Sequence, residues 1–278
     1  EETAEIGNLL GKATDGAVNA AGMSAADLAA VADNISGVQA DGVTGAFTVT
    51  SALSAAQIDV LLGKTATGAT VTVDTTGFSA AQLSAVEDNT AKVDDIDAPS
   101  ITSAQTAAEI TVLLGDVGAQ NDATVDASGM SAAQITAVNG ARGKIAADSL
   151  SNLTLTSSQS DVEIGTLLAD DSVANLSVSV NANSMSTAQL VAVNVGIAKI
   201  AANGITGAVA LDASAVTAAE VTSLLGKTDA GAVVTVAADG TIAANVLTSL
   251  STAIAKVDTI TGLQLTDTQS TAEIGNLL

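Results

Sequence analysis

The tightest group of residues able to do chemistry is acidic: Asp94, Asp95 and Asp97 surround Ile96 just ahead of Pro99. Calcium takes clustered carboxylate and carbonyl oxygens, so this run is a candidate calcium site, set against a solvated acidic loop. A second acidic feature is spread along the chain. Asn19, Asp74, Asp126, Asn181 and Asp212 each follow the last inward residue of a strand-like segment. This Asp/Asn column could be a calcium ladder. Equally, such side chains accept backbone N–H groups where a strand turns, and no glycine-aspartate nonapeptide of the calcium-binding kind is present. A third pattern places Thr48, Thr50, Thr70, Thr72, Thr154, Thr156, Ser177 and Ser179 on one face. A flat Ser/Thr face can recognise a glycan, a protein or ice, although Ala208, Ala210 and Gln264 interrupt it.

Catalysis has little to work with. The chain contains no His, Cys, Trp or Tyr, and its single Arg and Pro are Arg142 and Pro99. Enzymes place a nucleophile, base or metal once, in an irregular spot, whereas nearly every polar group here belongs to a repeated column. The reading is therefore not an enzyme. With 30 Asp plus Glu against 8 Lys plus Arg, the net charge of -22 repels phosphate backbones and anionic lipids. Stacking aromatics for single strands are equally lacking, which argues against nucleic acid as a partner. Residues 172–198 carry no charge, but Ser172, Asn175, Ser177, Ser179, Asn181 and Asn183 break the stretch. Membrane insertion is not expected, because a spanning helix needs about 20 predominantly apolar residues.

These residues recur because the chain repeats. The pairs Leu9-Leu10, Leu61-Leu62, Leu113-Leu114, Leu167-Leu168, Leu224-Leu225 and Leu277-Leu278 are spaced by 52, 52, 54, 57 and 53 residues. Between them lie Gly22-Met23-Ser24-Ala25-Ala26, Gly77-Phe78-Ser79-Ala80-Ala81, Gly129-Met130-Ser131-Ala132-Ala133 and the looser Ser184-Met185-Ser186-Thr187-Ala188. Each long repeat is thus two half-repeats of about 26 residues, a period that marks stacked architectures. The octapeptide Thr3–Leu10 returns at 271–278, so both ends fall at one phase. Glu1 is not an initiator and no basic region precedes an apolar one; the chain reads as a fragment of a longer repetitive protein.

One half-repeat holds a strand and a helix. Segments such as Thr70-Val71-Thr72-Val73 and Leu176-Ser177-Val178-Ser179-Val180 alternate apolar and small polar residues, as half-buried strands do. Helices then start at Ser24, Ser79, Ser131 and Ser186, followed three positions on by Asp27, Gln82, Gln134 and Gln189. In the other register the pairs are Ser54/Gln57, Thr106/Glu109, Ser160/Glu163 and Thr217/Glu220. This is the capping-box grammar. Gly11, Gly63, Gly115 and Gly226 follow leucine pairs, where a left-handed C-cap is expected. Lysines sit after the helices, at Lys12, Lys64 and Lys227 and at Lys92, Lys144, Lys199 and Lys256, where they complement the helix dipole.

Alternating strands and helices predict an α/β fold: a single right-handed solenoid over 1–278, with a parallel sheet backed by short helices. About ten strands at roughly 4.8 Å spacing would extend about 50 Å. A 52-residue coil with two separate sheets satisfies the same pattern. The plan is distantly similar to a leucine-rich repeat, without its Leu-rich consensus. Strings such as Ile205-Thr206-Gly207-Ala208-Val209-Ala210-Leu211 and Gly129-Met130-Ser131-Ala132-Ala133-Gln134-Ile135 more closely resemble the Ala/Thr/Val-rich repeats of very long bacterial, notably cyanobacterial, cell-surface proteins of the S-layer or adhesin kind. That resemblance implies an extracellular, cell-surface role as a structural repeat segment of a surface layer, matrix or filament. The expected partner is the protein itself, end to end or side by side, with calcium as a candidate bridging ion. The alternative is a binding module whose Ser/Thr face recognises a glycan, a protein or ice.

Overall fold

The computed structural model describes residues 3–117, 122–239, 242–264 and 270–277. Short parallel strands alternate with helices, and the chain divides into two compact units, Glu1–Ala146 and Ala147–Leu278. The first unit runs α1 (Thr3–Leu10), β1 (Gly16–Asn19), α2 (Ala25–Asp33), β2 (Val38–Thr44), β3 (Ala46–Val49), α3 (Ala55–Gly63), β4 (Thr70–Asp74), α4 (Ala80–Glu87), β5 (Asp95–Asp97), β6 (Ser100–Ile101), α5 (Ala107–Gly115), β7 (Ala123–Asp126) and α6 (Ala132–Gly140). Strand β8 (Ile145–Ser151) begins at the division. The second unit continues with β9 (Thr154–Leu155), α7 (Asp161–Ala169), β10 (Val178–Asn181), α8 (Thr187–Val195), β11 (Ile200–Thr206), β12 (Ala208–Asp212), α9 (Ala218–Lys227), β13 (Val233–Ala237), α10 (Ala244–Thr252), β14 (Thr259–Thr261) and α11 (Thr271–Leu277).

Consecutive half-repeats share a sheet. In the first unit the order is β3-β4-β5, with Thr48 opposite Thr72 and Thr72 opposite Asp95. In the second it is β12-β13-β14, with Ala210 opposite Thr235 and Thr235 opposite Thr259. Each strand therefore pairs with a neighbour one half-repeat away, but the described strands fall into five short sheets of two or three strands, in place of the one parallel sheet expected, because the chain turns a corner between β2 and β3, β5 and β6, β8 and β9, and β11 and β12. The alternation decides which side is buried. Val71 and Val73 are fully buried while Thr70 is exposed and Thr72 and Asp74 are half-exposed. Helices α3, α4 and α5 bury Ile58, Leu61, Leu62, Leu83, Val86, Ile110, Leu113 and Leu114. Removing each such side chain from water contributes about 1.5–3 kcal/mol.

Every capping box read from the sequence forms. Ser24, Ser54, Ser79, Thr106, Ser131, Ser160, Ser186 and Thr217 each accept from the backbone three residues on, and the side chain there accepts from the cap N–H in return. The glycine C-caps do not form as expected. Gly63, Gly115 and Gly226 lie inside their helices, and none has a positive φ. At the first and third of these ends hydroxyls join the backbone N–H groups of Lys64, Thr65 and Thr228 in closing the helix: Thr65 Oγ1 donates to the Leu61 carbonyl at 2.9 Å and Thr228 Oγ1 to that of Leu224 at 2.8 Å. These side-chain donors take up carbonyls that a left-handed turn would otherwise satisfy.

Positive φ is used at the strand corners. Gly45 (φ +86°), Gly207 (+81°) and Gly262 (+68°) occupy one recurring turn, whose place Ala98 (+47°) and Asn152 (+54°) take elsewhere. At Gly45 a Cβ would lie 2.3 Å from Asn19 Oδ1, so backbone and space both demand glycine. A second device breaks the register. Gly16 pairs with Val38 but Val18 with Val43, and Val178 pairs with Ile200 but Val180 with Ile205. One residue thus faces four, and the bulged segment carries Asp41 (φ +53°) in the first case and Asn203 (+55°) in the second. Asp and Asn tolerate this left-handed conformation better than other side chains.

Candidate functional site

The three acidic candidates go in two directions. Asp94 is exposed and turned onto the neighbouring strand, where its Oδ2 accepts the Val71 N–H at 2.7 Å. Asp95 and Asp97 alternate with buried Ile96, and Asp97 stands opposite Asp74. Burial raises the Asp97 carboxyl above its ordinary range, and the neighbouring charges of Asp95, Asp122 and Asp74 push the same way. Asp122 in turn accepts the Ala98 N–H at 3.0 Å, and Asp95 Oδ1 is buried with no hydrogen bond. This is a short column of like charge on the sheet. Among the described residues no group of three or more His, Asp or Glu side chains has the arrangement of a metal site.

The Asp/Asn column makes turns. Asn19, Asp74, Asp126, Asn181 and Asp212 each accept the N–H two residues on, from Ala21, Thr76, Ser128, Asn183 and Ser214 at 2.9–3.2 Å. Hydrogen bonds from Thr76 hold the Asp74 carboxyl below its ordinary range, and those from Ser214 do so for Asp212. A carboxylate that accepts such bonds favours its charged form. The five side chains close strand corners, as the turn alternative requires.

The recurring polar side chains that sequence reasoning read as helix caps have a second partner. Gln82 Oε1 accepts the Ser79 N–H at 2.8 Å, while its Nε2 donates to the Ser51 and Leu53 carbonyls at 3.2 and 2.6 Å. Gln134 repeats this with Ser131, Ser103 and Gln105, and Gln189 with Ser186, Ser157 and Gln159. One amide therefore caps its own helix and clamps the loop of the preceding coil. In the other register Glu109 on α5 receives the Ser84 hydroxyl from α4 and Glu273 on α11 the Thr248 hydroxyl from α10 at 2.5 Å, whereas Gln57 on α3 donates to Asp33 of α2 at 2.8 Å. Such hydroxyl donors keep both carboxyls below their ordinary range.

The lysines act alike. Lys64 donates to the Val38 carbonyl, Lys92 to Thr65, Lys144 to Val117, Lys199 to Asp170, Lys227 to Ile200 and Lys256 to Thr228. Each acceptor lies 26 to 29 residues earlier, in the preceding coil. Placement after the helices was legible, but the destination of the ammonium was not. For the amide clamps a signal was available, the alternation of Gln and Glu at the third helical position from Gln82 to Glu220. The bulges had a signal too: Val38-Gln39-Ala40-Asp41-Gly42-Val43 has two residues more than Val93-Asp94-Asp95-Ile96.

The outward strand face is mixed. Thr48, Thr70 and Thr154 are exposed, but so are Ala46, Ala208, Ala210 and Val233 in corresponding columns. No helix among the described residues is long and apolar enough to cross a membrane.

No protein-family model matches the chain, and no curated protein matches it. Among solved structures the chain is similar to one described as "Crystal structure of Rad7 and Elc1 complex in yeast", at 11% identity and a TM-score of 0.28. The match covers 83% of this chain and 63% of that one, so the chain spans less than two thirds of its length. A likeness this slight carries no argument about fold or function. What the chain's own geometry defines is a repeat-like α/β protein of short parallel strands and helices.

Proposed function

We propose that the chain is a structural repeat segment, a right-handed α/β solenoid of about 26-residue coils serving as an extendable rod or lattice element. Its setting is an extracellular surface layer, matrix or filament at the cell surface, and it assembles with itself end to end or side by side. The observation that carries this reading is the use made of the recurring polar side chains. Gln82, Gln134, Gln189 and six lysines bond one coil to the preceding one. Stability in such an array comes from nearest-neighbour interfaces, so length is set by coil number. The acidic exterior keeps a long polymer soluble and is screened by salt or divalent ions.

Negative-stain imaging of the purified chain, with and without millimolar calcium at matched ionic strength, tests the reading. Elongated particles that join into filaments or sheets are the expected result. Compact particles that never associate, with or without calcium, would overturn the assembly role. Assembly only with calcium would bring Asp94, Asp95 and Asp97 into the function. Assembly in both conditions would leave them as surface charge.

A further inference from the structure

Strands β2, β8 and β11 share a feature that the turns and clamps above do not use. The fourth residue of each is a non-glycine with a positive φ: Asp41 (+53°), Asp148 (+57°) and Asn203 (+55°). Two half-repeats further on, each meets a lysine in the short turn that follows a helix. Asp41 pairs with Lys92 at 2.9 Å, and Asp148 and Lys199 line one small recess. The counterpart for Asn203 is Lys256. Its surroundings reproduce those of Lys92: Lys92 donates to the Thr65 carbonyl and Lys256 to that of Thr228, and the two threonine hydroxyls donate to the Leu61 and Leu224 carbonyls. Two of the three places thus hold a carboxylate and the third an amide. Asn203 is exposed and its side chain makes no hydrogen bond to any described residue, nor does an ion pair join Lys256 to one.

We propose that Asn203-Gly204 is a self-modifying site, at which the asparagine converts to aspartate without an enzyme and so gains with Lys256 the ion pair that Asp41 makes with Lys92. The residue that follows decides how readily this occurs. Gly204 has no Cβ to obstruct the approach of its main-chain nitrogen. That nitrogen gives its proton to solvent base and attacks Asn203 Cγ; the new C–N bond closes a cyclic imide, and the side-chain amide nitrogen leaves as ammonia. Water then adds at Cγ and breaks the same C–N bond, which restores the Gly204 N–H and leaves a carboxylate on Cγ and a proton in solvent. The net change is ammonia out and water in, with no redox step. Residues 201–204 lie between the ladder pairs Val178–Ile200 and Val180–Ile205, outside the register with β10. Aspartate already occupies the same left-handed position in β2 and β8, so the product fits the fold. The result is a tie across two half-repeats, made after folding, and it does not depend on whether the chain assembles.

The test follows the full chain through prolonged incubation in mildly alkaline buffer, by peptide mass mapping with electron-transfer fragmentation to separate aspartate from isoaspartate. Asn139-Gly140 is the internal control, the same dipeptide held inside α6. Asn203 is expected to gain about one dalton, at least about tenfold faster than Asn139, with aspartate as the main product. Asn203 converting no faster than Asn139 would overturn the proposal. Isoaspartate as the main product would also overturn it, because the longer main chain takes the carboxylate off the Asp41 geometry. A second measurement reads the ion pair directly. Asn203→Asp is compared with the original chain in thermal melts, with Lys256 present and in a Lys256→Met background, at low and high salt. Lys256→Met also loses the bond to Thr228, so only the difference between the two comparisons is read. A melt raised only where Lys256 is present, by an amount that shrinks with salt, is expected. Equal shifts in both backgrounds would refute the pairing. Should Lys256→Met fail to fold, the salt response of Asn203→Asp decides alone, and a shift indifferent to salt would refute it.

Discussion

Gln82→Glu isolates the clamp from the cap. The substitution preserves the acceptor that caps α4, since a carboxylate takes the Ser79 N–H as readily as an amide oxygen does. It removes the two bonds from Nε2 to the Ser51 and Leu53 carbonyls. Each lost bond costs about 1 kcal/mol net, and leaving the buried Leu53 carbonyl without this donor adds about 1–3 kcal/mol. A carboxylate oxygen then stands where the amide nitrogen was, 2.6 Å from a carbonyl, and must move away. The expected loss is about 3–5 kcal/mol at pH 7. Glu220→Gln is the counterpart: its carboxylate accepts the Thr217 N–H at 2.7 Å, and an amide can replace it. Its loss should stay below about 1 kcal/mol.

Urea unfolding followed by far-ultraviolet circular dichroism compares the two, and pH supplies an internal check. Once protonated, the new carboxyl at position 82 can donate to one carbonyl again, so its pKa in the folded state lies above the unfolded value of about 4.3. The stability gained from that proton is fully present below the unfolded pKa and is lost as pH rises through the folded one. The gap between variant and original chain should therefore narrow toward acid. Equal losses for Gln82→Glu and Glu220→Gln, or a gap that does not respond to pH, would refute the clamp.

Leu61→Asp should unfold its coil and the neighbours packed on it, because Leu61 is fully buried, whereas Thr72→Ala on the outward face should barely shift a thermal melt; equal shifts would contradict the assigned faces. Gly115→Ala should stabilise by up to about 1 kcal/mol, since the residue is helical and a Cβ there meets nothing within 4 Å; a loss of stability in urea would restore the left-handed cap. Gly45→Ala should lose about 1–3 kcal/mol, through its positive φ and the approach of Asn19. Asp97→Asn should raise the melting temperature at pH 7 and have less effect at pH 4. A carboxyl whose folded pKa is raised contributes stability below its unfolded pKa and loses it as pH rises through the folded one, so an unchanged or lowered melt at pH 7 would contradict the like-charge column.

The sequence carried much of the local structure and little of the register. Capping boxes are set by residues three apart, and the alternation in Thr70–Asp74 separates a buried from an open side; both are short-range and survive in a single sequence. The position of Lys64 after its helix was likewise readable, but the Val38 carbonyl it reaches lies 26 residues away and carries no side-chain signature. Main-chain acceptors are identical at every residue, so a coil-to-coil bond to a carbonyl leaves a mark on one partner only. The glycine caps failed for a related reason. Gly63 sits where a left-handed turn would be reasonable, but the Lys64 and Thr65 N–H groups and the Thr65 hydroxyl close that helix without one.

The choice between Gln and Glu at the third helical position then follows from what the preceding coil presents. Gln82 and Gln134 meet carbonyls, at Ser51 and Leu53 and at Ser103 and Gln105, which only a donor can satisfy. Glu109 and Glu273 meet hydroxyls, at Ser84 and Thr248, which a carboxylate accepts more strongly than an amide. From Gln82 onward the same capping box thus carries a donor in one register and an acceptor in the other, while Asp27 and Gln57 reverse the assignment and still find complementary partners: Asp27 accepts from Thr3, and Gln57 donates to Asp33 at 2.8 Å. Within the stretch from Gln82 to Glu109 and Gln134, a slip by one half-repeat would set carboxylates against carbonyls and amides against hydroxyls. From Gln82 to Glu220 the amide and the carboxylate alternate, so over that span the 52-residue period, rather than 26, matches what each helix meets in the half-repeat before it.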